Sequence, residues 1–190
     1  MDKIKLGPGC FLYPMPTTVV GANVNGKANY LAIAFVGIVN AKPPLISISL
    51  SRTHYTTGGI GAHGTFSVNI PSATQVAAVD YVGTYSGSEA DKSRVFTSFY
   101  GVLGTAPLAA ECPLNLECRV VRTLELATDV CFIGEIVETY ARPDVVVDGA
   151  PDLAKLDAFV FAFGNNGYFR VGDRFATPWE IGETLKGGTE

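Results

Sequence analysis

The chain has 190 residues, 47% of them apolar and only 17% charged, enough to bury a sizeable core in one domain or two small ones. A net charge of −4 argues against nucleic acid as the main partner, because a phosphate backbone needs a basic face. No apolar run reaches the roughly eighteen residues that a membrane-spanning helix requires.

The sparse charge favours surface covered in an oligomer. The start, MDKIKLGPGCFLYPMP, is broken by prolines and lacks a long apolar stretch, so no signal peptide is expected. Cys10, Cys112, Cys118 and Cys131 form no CxxC pair, and no histidine stands near Cys112 and Cys118. Structural or free thiols, a reducing compartment and a cytoplasmic location are the expectations.

In chain order, 18–24 (TVVGANV) and 28–36 flank Asn25-Gly26, a strong hairpin signal. Residues 45–50 alternate Ile46, Ile48 and Leu50 with Ser47 and Ser49, which predicts a half-buried strand. Residues 66–70 alternate in the same way. Ser72 caps a predicted helix over 73–84, with Val76, Val79 and Val82 on one face. A second helix is predicted over 91–99 from Val95 and Phe99. The clearest alternation runs over 114–126, with Asn115, Glu117 and Arg119 opposite the apolar set. Arg122 breaks it and predicts a strand end or a bend. A turn at Ala127-Thr128-Asp129 leads into a strand over 130–140. Residues 143–151 read as a loop with a short strand near 145–147. Strands over 158–163, 168–171 and 173–176 follow. Many short strands with few helices predict a closed or nearly closed barrel.

Three motifs bear on chemistry. Gly59-Ile60-Gly61-Ala62-His63-Gly64 matches GxGxxG, but a dinucleotide fingerprint must open a helix, and a strand-like run follows at once. The glycines therefore predict a short turn or a single helical turn. Ser49, Ser51, Arg52, Thr53, His54, Thr56 and Thr57 supply a guanidinium fork and neutral donors suited to phosphate, or else an ordinary solvated loop. Residues 86–92 (SGSEADK) place Lys92 at a predicted helix start, either an anion site or a plain cap. No Ser-His-Asp order, nucleophile elbow or metal spacing is present, so a cofactor would carry any catalysis.

Taken in order, these segments resemble the flavin reductase-like, FMN-binding split-barrel family. The resemblance rests on residues 14–24, on Asn25-Gly26-Lys27-Ala28-Asn29 leading to Ala32-Ile33-Ala34-Phe35, and on Pro43-Pro44. It continues through 49–56, 66–71 (FSVNIP), 86–92 and Tyr168-Phe169-Arg170-Val171-Gly172, and so covers nearly the whole chain. It implies one domain over 1–190, mainly β with two or three short helices. The implied fold is a Greek-key split β-barrel, homodimeric, with FMN in a groove at the interface. Asn29, Ala32, Ile33 and Ala34 would then follow the isoalloxazine edge. Ser49, Leu50, Ser51, Arg52, His54 and Thr56 would form the phosphate and ribityl site, joined by Asn69 and Lys92.

Many relatives carry Thr or Ser near positions 32 and 34, where this chain has alanine, a change that favours electron transfer over rapid turnover. The implied function is an oxidoreductase passing electrons from NAD(P)H through the flavin to a second flavin, a protein or a small acceptor. The alternatives are an electron carrier reduced only by a redox partner protein, and a non-redox binding module on the same barrel.

Overall fold

The structure is a computed structural model and describes residues 2–186. Strand β1 (Met15–Pro16) is followed by β2 (Thr18–Val24) and β3 (Lys27–Ile33). Asn25 and Gly26 both take positive φ between β2 and β3, as a two-residue Asn-Gly hairpin requires. Next come β4 (Val36–Asn40), β5 (Leu45–Ser51), helix α1 (Tyr55–His63), β6 (Thr65–Ile70) and helix α2 (Val76–Thr84). Then follow β7 (Ser98–Tyr100), β8 (Pro107–Ala109), β9 (Leu114–Glu125) and β10 (Asp129–Ala141). The short β11 (Val146–Val147), β12 (Ala150–Pro151) and α3 (Leu153–Leu156) lead to β13 (Phe159–Ala162) and β14 (Gly167–Arg170).

Seven strands form one antiparallel sheet in the order β3-β2-β6-β9-β10-β5-β4. Its two ends are neighbours in sequence, and the Ser49 N–H donates to the carbonyl of Phe35, in the β3–β4 link, at 2.9 Å. The sheet curls around one apolar cluster that takes Val20, Leu31, Ile48, Phe66, Cys118 and Phe132 from five different strands plus β10. The result is a split barrel with Greek-key strand order, and Ile60 of α1 plugs one end.

A second cluster covers the outer face. Val79 and Val82 of α2 pack there with Val19, Tyr30, Phe96, Cys112 and Phe159. This double coverage explains one departure from the sequence pattern. Asn115 and Glu117, on the polar side of the β9 alternation, are buried at 4% and 0% exposure. Glu117 accepts from the Val102 and Leu103 N–H groups, each at 2.9 Å, and from the Tyr140 hydroxyl at 3.1 Å.

Other expectations change as well. Residues 91–99 form no helix: turns lead into β7, because Phe96 is drawn into the second cluster. The GxGxxG segment is neither a turn nor a single helical turn but most of nine-residue α1. Gly59 is needed there, since a Cβ would lie 2.4 Å from the Asn23 carbonyl oxygen of β2. Residues 173–176 form no strand. The strand read over 28–36 is two, β3 and β4, while the 73–84 helix stands as a 3₁₀ turn (Ala73–Gln75) followed by α2. At Arg122 the bend expected from sequence appears as a register shift, with Arg122 opposite Ile133 and Val120 opposite Gly134. The four cysteines are free thiols, and no described helix is long and apolar enough to cross a membrane.

Candidate functional site

The site is built where β5 hands over to α1. Ser49 and Ser51 alternate along β5 onto one side, and the chain then turns through Arg52, Thr53 and His54. The Thr57 hydroxyl donates to the Ser51 carbonyl at 2.8 Å and fixes the first turn of α1. The N-terminus of α1, with its unsatisfied N–H groups, therefore faces the same region as the strand-end serines.

Two cavities meet at His54. The wider, about 260 Å³, has Ala32, Ile33, Ala34 and Phe35 along one wall and Phe161, Phe163 and Tyr168 along another. Thr17, Ser49, Ser51 and Asp129 complete it. The narrower, about 130 Å³, is lined by Leu31, Tyr55, Thr56, Lys92 and residues 83–87. Together they fall within the range of small-molecule sites, roughly 300–1,000 Å³. The first is apolar with scattered hydroxyls, and the second is polar and holds a cation.

That cation is Lys92. It is 3% exposed, and its ammonium donates to one acceptor, the Val82 carbonyl, at 2.8 Å. Among the described residues no carboxylate pairs with it. Burial pushes its pKa down to about 8. A buried ammonium with one hydrogen bond and no counter-charge is costly, and an anion beside it removes that cost. His54 is lowered from its ordinary value by burial and then by the Lys92 charge, with Asp129 opposing. Both groups thus face a shared space that favours negative charge.

The residues singled out from sequence divide into three sets. Ala32, Ile33, Ala34, Ser49, Ser51 and His54 line the wider cavity, while Thr56 and Lys92 line the narrower one with His54. Asn29 supports the site from behind, its amide donating to the Thr56 hydroxyl at 2.8 Å. Arg52, Asn69 and Leu50 lie elsewhere. The Arg52 guanidinium is spent on Glu125 and the Leu126 carbonyl of the β9–β10 hairpin. Asn69 is fully buried, donating to the Val19 carbonyl and Ser67 hydroxyl and accepting from the Ala109 N–H and Asn115 amide. The Leu50 side chain belongs to the barrel core.

Thr17, Phe35, Asp129, Phe161, Phe163 and Tyr168 were not legible as site residues. Phe161 lies on β13 and Phe163 directly after it, but sequence does not say which surface they meet. Tyr168 is fixed by its hydroxyl on Asp80 of α2, 3.1 Å away, and by its ring on Phe159 and Phe161. No described group of carboxylates, cysteines or histidines could hold a metal ion.

The fold is a curled antiparallel barrel in which an apolar slot joins a cationic pocket. Residues 10–160 match the family model of the flavin reductase like domain, and the chain belongs to that family. The structure superposes on the crystal structure of flavoredoxin from Methanosarcina acetivorans with a TM-score of 0.96, at 45% identity, over 97% of this chain and 100% of that one. For the flavoredoxin of Desulfovibrio vulgaris (Miyazaki F) the values are 0.89, 34%, 95% and 100%. An uncharacterized protein of Archaeoglobus fulgidus is 29% identical over 167 residues, covering 87% of this chain and 93% of its own.

Proposed function

We propose that this chain is a flavoprotein that binds FMN across the two joined cavities and passes electrons from NAD(P)H to an acceptor. The observation that carries the reading is Lys92, a buried cation without a counter-charge at the end of an apolar slot. A phosphate supplies that counter-charge, and a flat heterocycle suits walls of alanine methyls and phenylalanine rings.

When bound, FMN supplies the electron exchange. The chain's part is to hold and shield it. Lys92 and the first turn of α1 hold the phosphate charge, and Asn29 keeps the Thr56 hydroxyl turned to that pocket. Ala32, Ala34, Phe161 and Phe163 exclude water from the wider cavity, where Ser49, Ser51 and His54 offer hydrogen bonds. No nicotinamide fingerprint is present in the sequence, so NADH or NADPH would stack in the open part of the groove.

Four further points belong to the reading: one domain over 1–190, a homodimer, a cytoplasmic location, and a small-molecule or protein acceptor. Phe175 and Trp179, 99% and 92% exposed, lie on a C-terminal segment that packs little against its own barrel and suits a second copy.

A second reading is an electron carrier that a partner protein reduces. The likeness to two flavoredoxins supports it, as does a β3 wall that offers only the methyls of Ala32 and Ala34. A visible spectrum of the purified protein, then anaerobic addition of NADH and NADPH, separates the two. Flavin bands that bleach support the oxidoreductase. Bands that persist favour the carrier. A protein that stays colourless after FMN is added is a non-redox binding module.

Arg52→Ala is expected to change FMN affinity by less than about threefold, since the guanidinium is held on Glu125 and Leu126. Fluorescence titration measures this. A loss of roughly 1.5–3 kcal/mol would instead place Arg52 on the phosphate.

A further inference from the structure

Thr17 and Thr18 are consecutive and both buried, at 6% and 5% exposure, but their hydroxyls have opposite fates. The Thr18 hydroxyl donates to the Ile33 carbonyl at 2.8 Å. The Thr17 hydroxyl is closed to solvent and has no partner. Among the described residues only one other buried side-chain polar atom, the Asn23 Oδ1, is left in that state, and Asn23 lies on a different cavity.

Thr17 lines the wider cavity. The β2–β3 ladder pairs Thr18 with Ile33 and Val19 with Ala32. Thr17 and Ala34 each lie one residue beyond the end of this ladder, and both line the same cavity. Thr17 therefore places a hydroxyl-bearing side chain on the wall where Ala32 and Ala34 bring methyls.

Folding alone does not account for this threonine. A buried hydroxyl without a partner destabilises the native state, and valine has the same shape without that cost. A step between staggered χ1 rotamers carries the hydroxyl to another of the three positions on Cβ without moving the backbone. We propose that Thr17 is a ligand-binding residue, whose hydroxyl hydrogen-bonds a polar edge atom of the heterocycle lying along β3. The proposal rests on the flavin reading above.

The test compares the full-length wild type with Thr17→Val and Thr17→Ser. The apoprotein of Thr17→Val is expected to melt higher, by about 2–4 °C, because an unsatisfied hydroxyl is gone. Its affinity for FMN is expected to fall roughly five- to tenfold, and its affinity for riboflavin by the same factor, since the contact is to the ring. Thr17→Ser is expected to restore both affinities. Overturning results are an unchanged FMN affinity in Thr17→Val, a loss confined to FMN, or a lower melting temperature with no rescue by serine. A wild type that binds neither flavin ends the flavin reading itself, whereas a wild type that binds both with Thr17→Val unaffected ends this proposal alone.

Discussion

Replacing Lys92 by methionine is expected to weaken FMN binding by roughly 1.5–3 kcal/mol, about ten- to more than a hundredfold, while leaving riboflavin affinity near that of the wild type. The methionine keeps most of the buried stem and removes the charge. A charged hydrogen bond to phosphate is lost, but no contact to the ring changes. Titrations with the two flavins measure the difference. Equal losses for both, or none, would move the phosphate away from Lys92.

The same variant has a stability signature. Lys92 is lowered to about 8 in the folded chain from an ordinary value of 10.5. Between those limits the unfolded chain binds the extra proton, so apoprotein stability rises with pH across the window. Below it, both states are charged and the folded state carries the full cost of the buried ammonium. Lys92→Met is therefore expected to raise apoprotein stability at pH 7 and to flatten the rise between about pH 8 and 10. FMN affinity in the wild type is expected to fall through the same range, because the cation that holds the phosphate is lost. Denaturant unfolding of both proteins at several pH values between about 8 and 10 isolates the lysine, since His54, which the Lys92 charge also lowers from its ordinary 6.5, titrates below that window.

Glu117→Ala is expected to be the most destabilising single change considered, by about 3–5 kcal/mol, lowering the melting temperature on the order of 10 °C. The carboxyl is fully buried and serves three donors: the Val102 and Leu103 N–H groups and the Tyr140 hydroxyl. The loop passes so close that a Cβ at Gly101 would lie 2.3 Å from Glu117 Oε2. Truncation leaves two backbone donors without an acceptor under the segment that leads to β8. Glu117→Gln keeps the volume but turns an amide donor toward those N–H groups, so it is expected to recover only part of the loss. Thermal melts of the three proteins decide the matter, and a loss below about 1 kcal/mol in Glu117→Ala would show that water satisfies the loop.

These variants also mark where local pattern stops being informative. Alternation in β5, β6 and β9 and the Asn-Gly turn were fixed by residues adjacent in sequence, because side-chain period and turn chemistry are local. The bend at Arg122 was visible for the same reason. Composition allowed a sizeable core and held no apolar run long enough for a membrane-spanning helix, and the ordered segments pointed to the family. The 49–56 region could be read as an anion site because hydroxyls there follow strand spacing.

Tertiary packing decided the rest. Alternation says that Glu117 and Asn115 share a face, but not that residues 102–109 cover that face and bond to both. Glycines discourage a helix in isolation, yet α1 forms, since Ile60 finds the barrel end and Gly59 lets the helix settle on β2. Phe96 was drawn into the outer cluster in place of a helix. The Arg52 guanidinium is held by the β9–β10 hairpin, more than 70 residues later in the chain, a contact that no local pattern shows. The cavity itself is assembled from strands far apart in the chain, β3, β5 and β13, with Thr17 and Ala34 on one wall and Lys92 bonded to the Val82 carbonyl. Sequence determined which residues could bind and shield. Which of them meet around one space was decided by the curl of a sheet whose strand order departs from chain order.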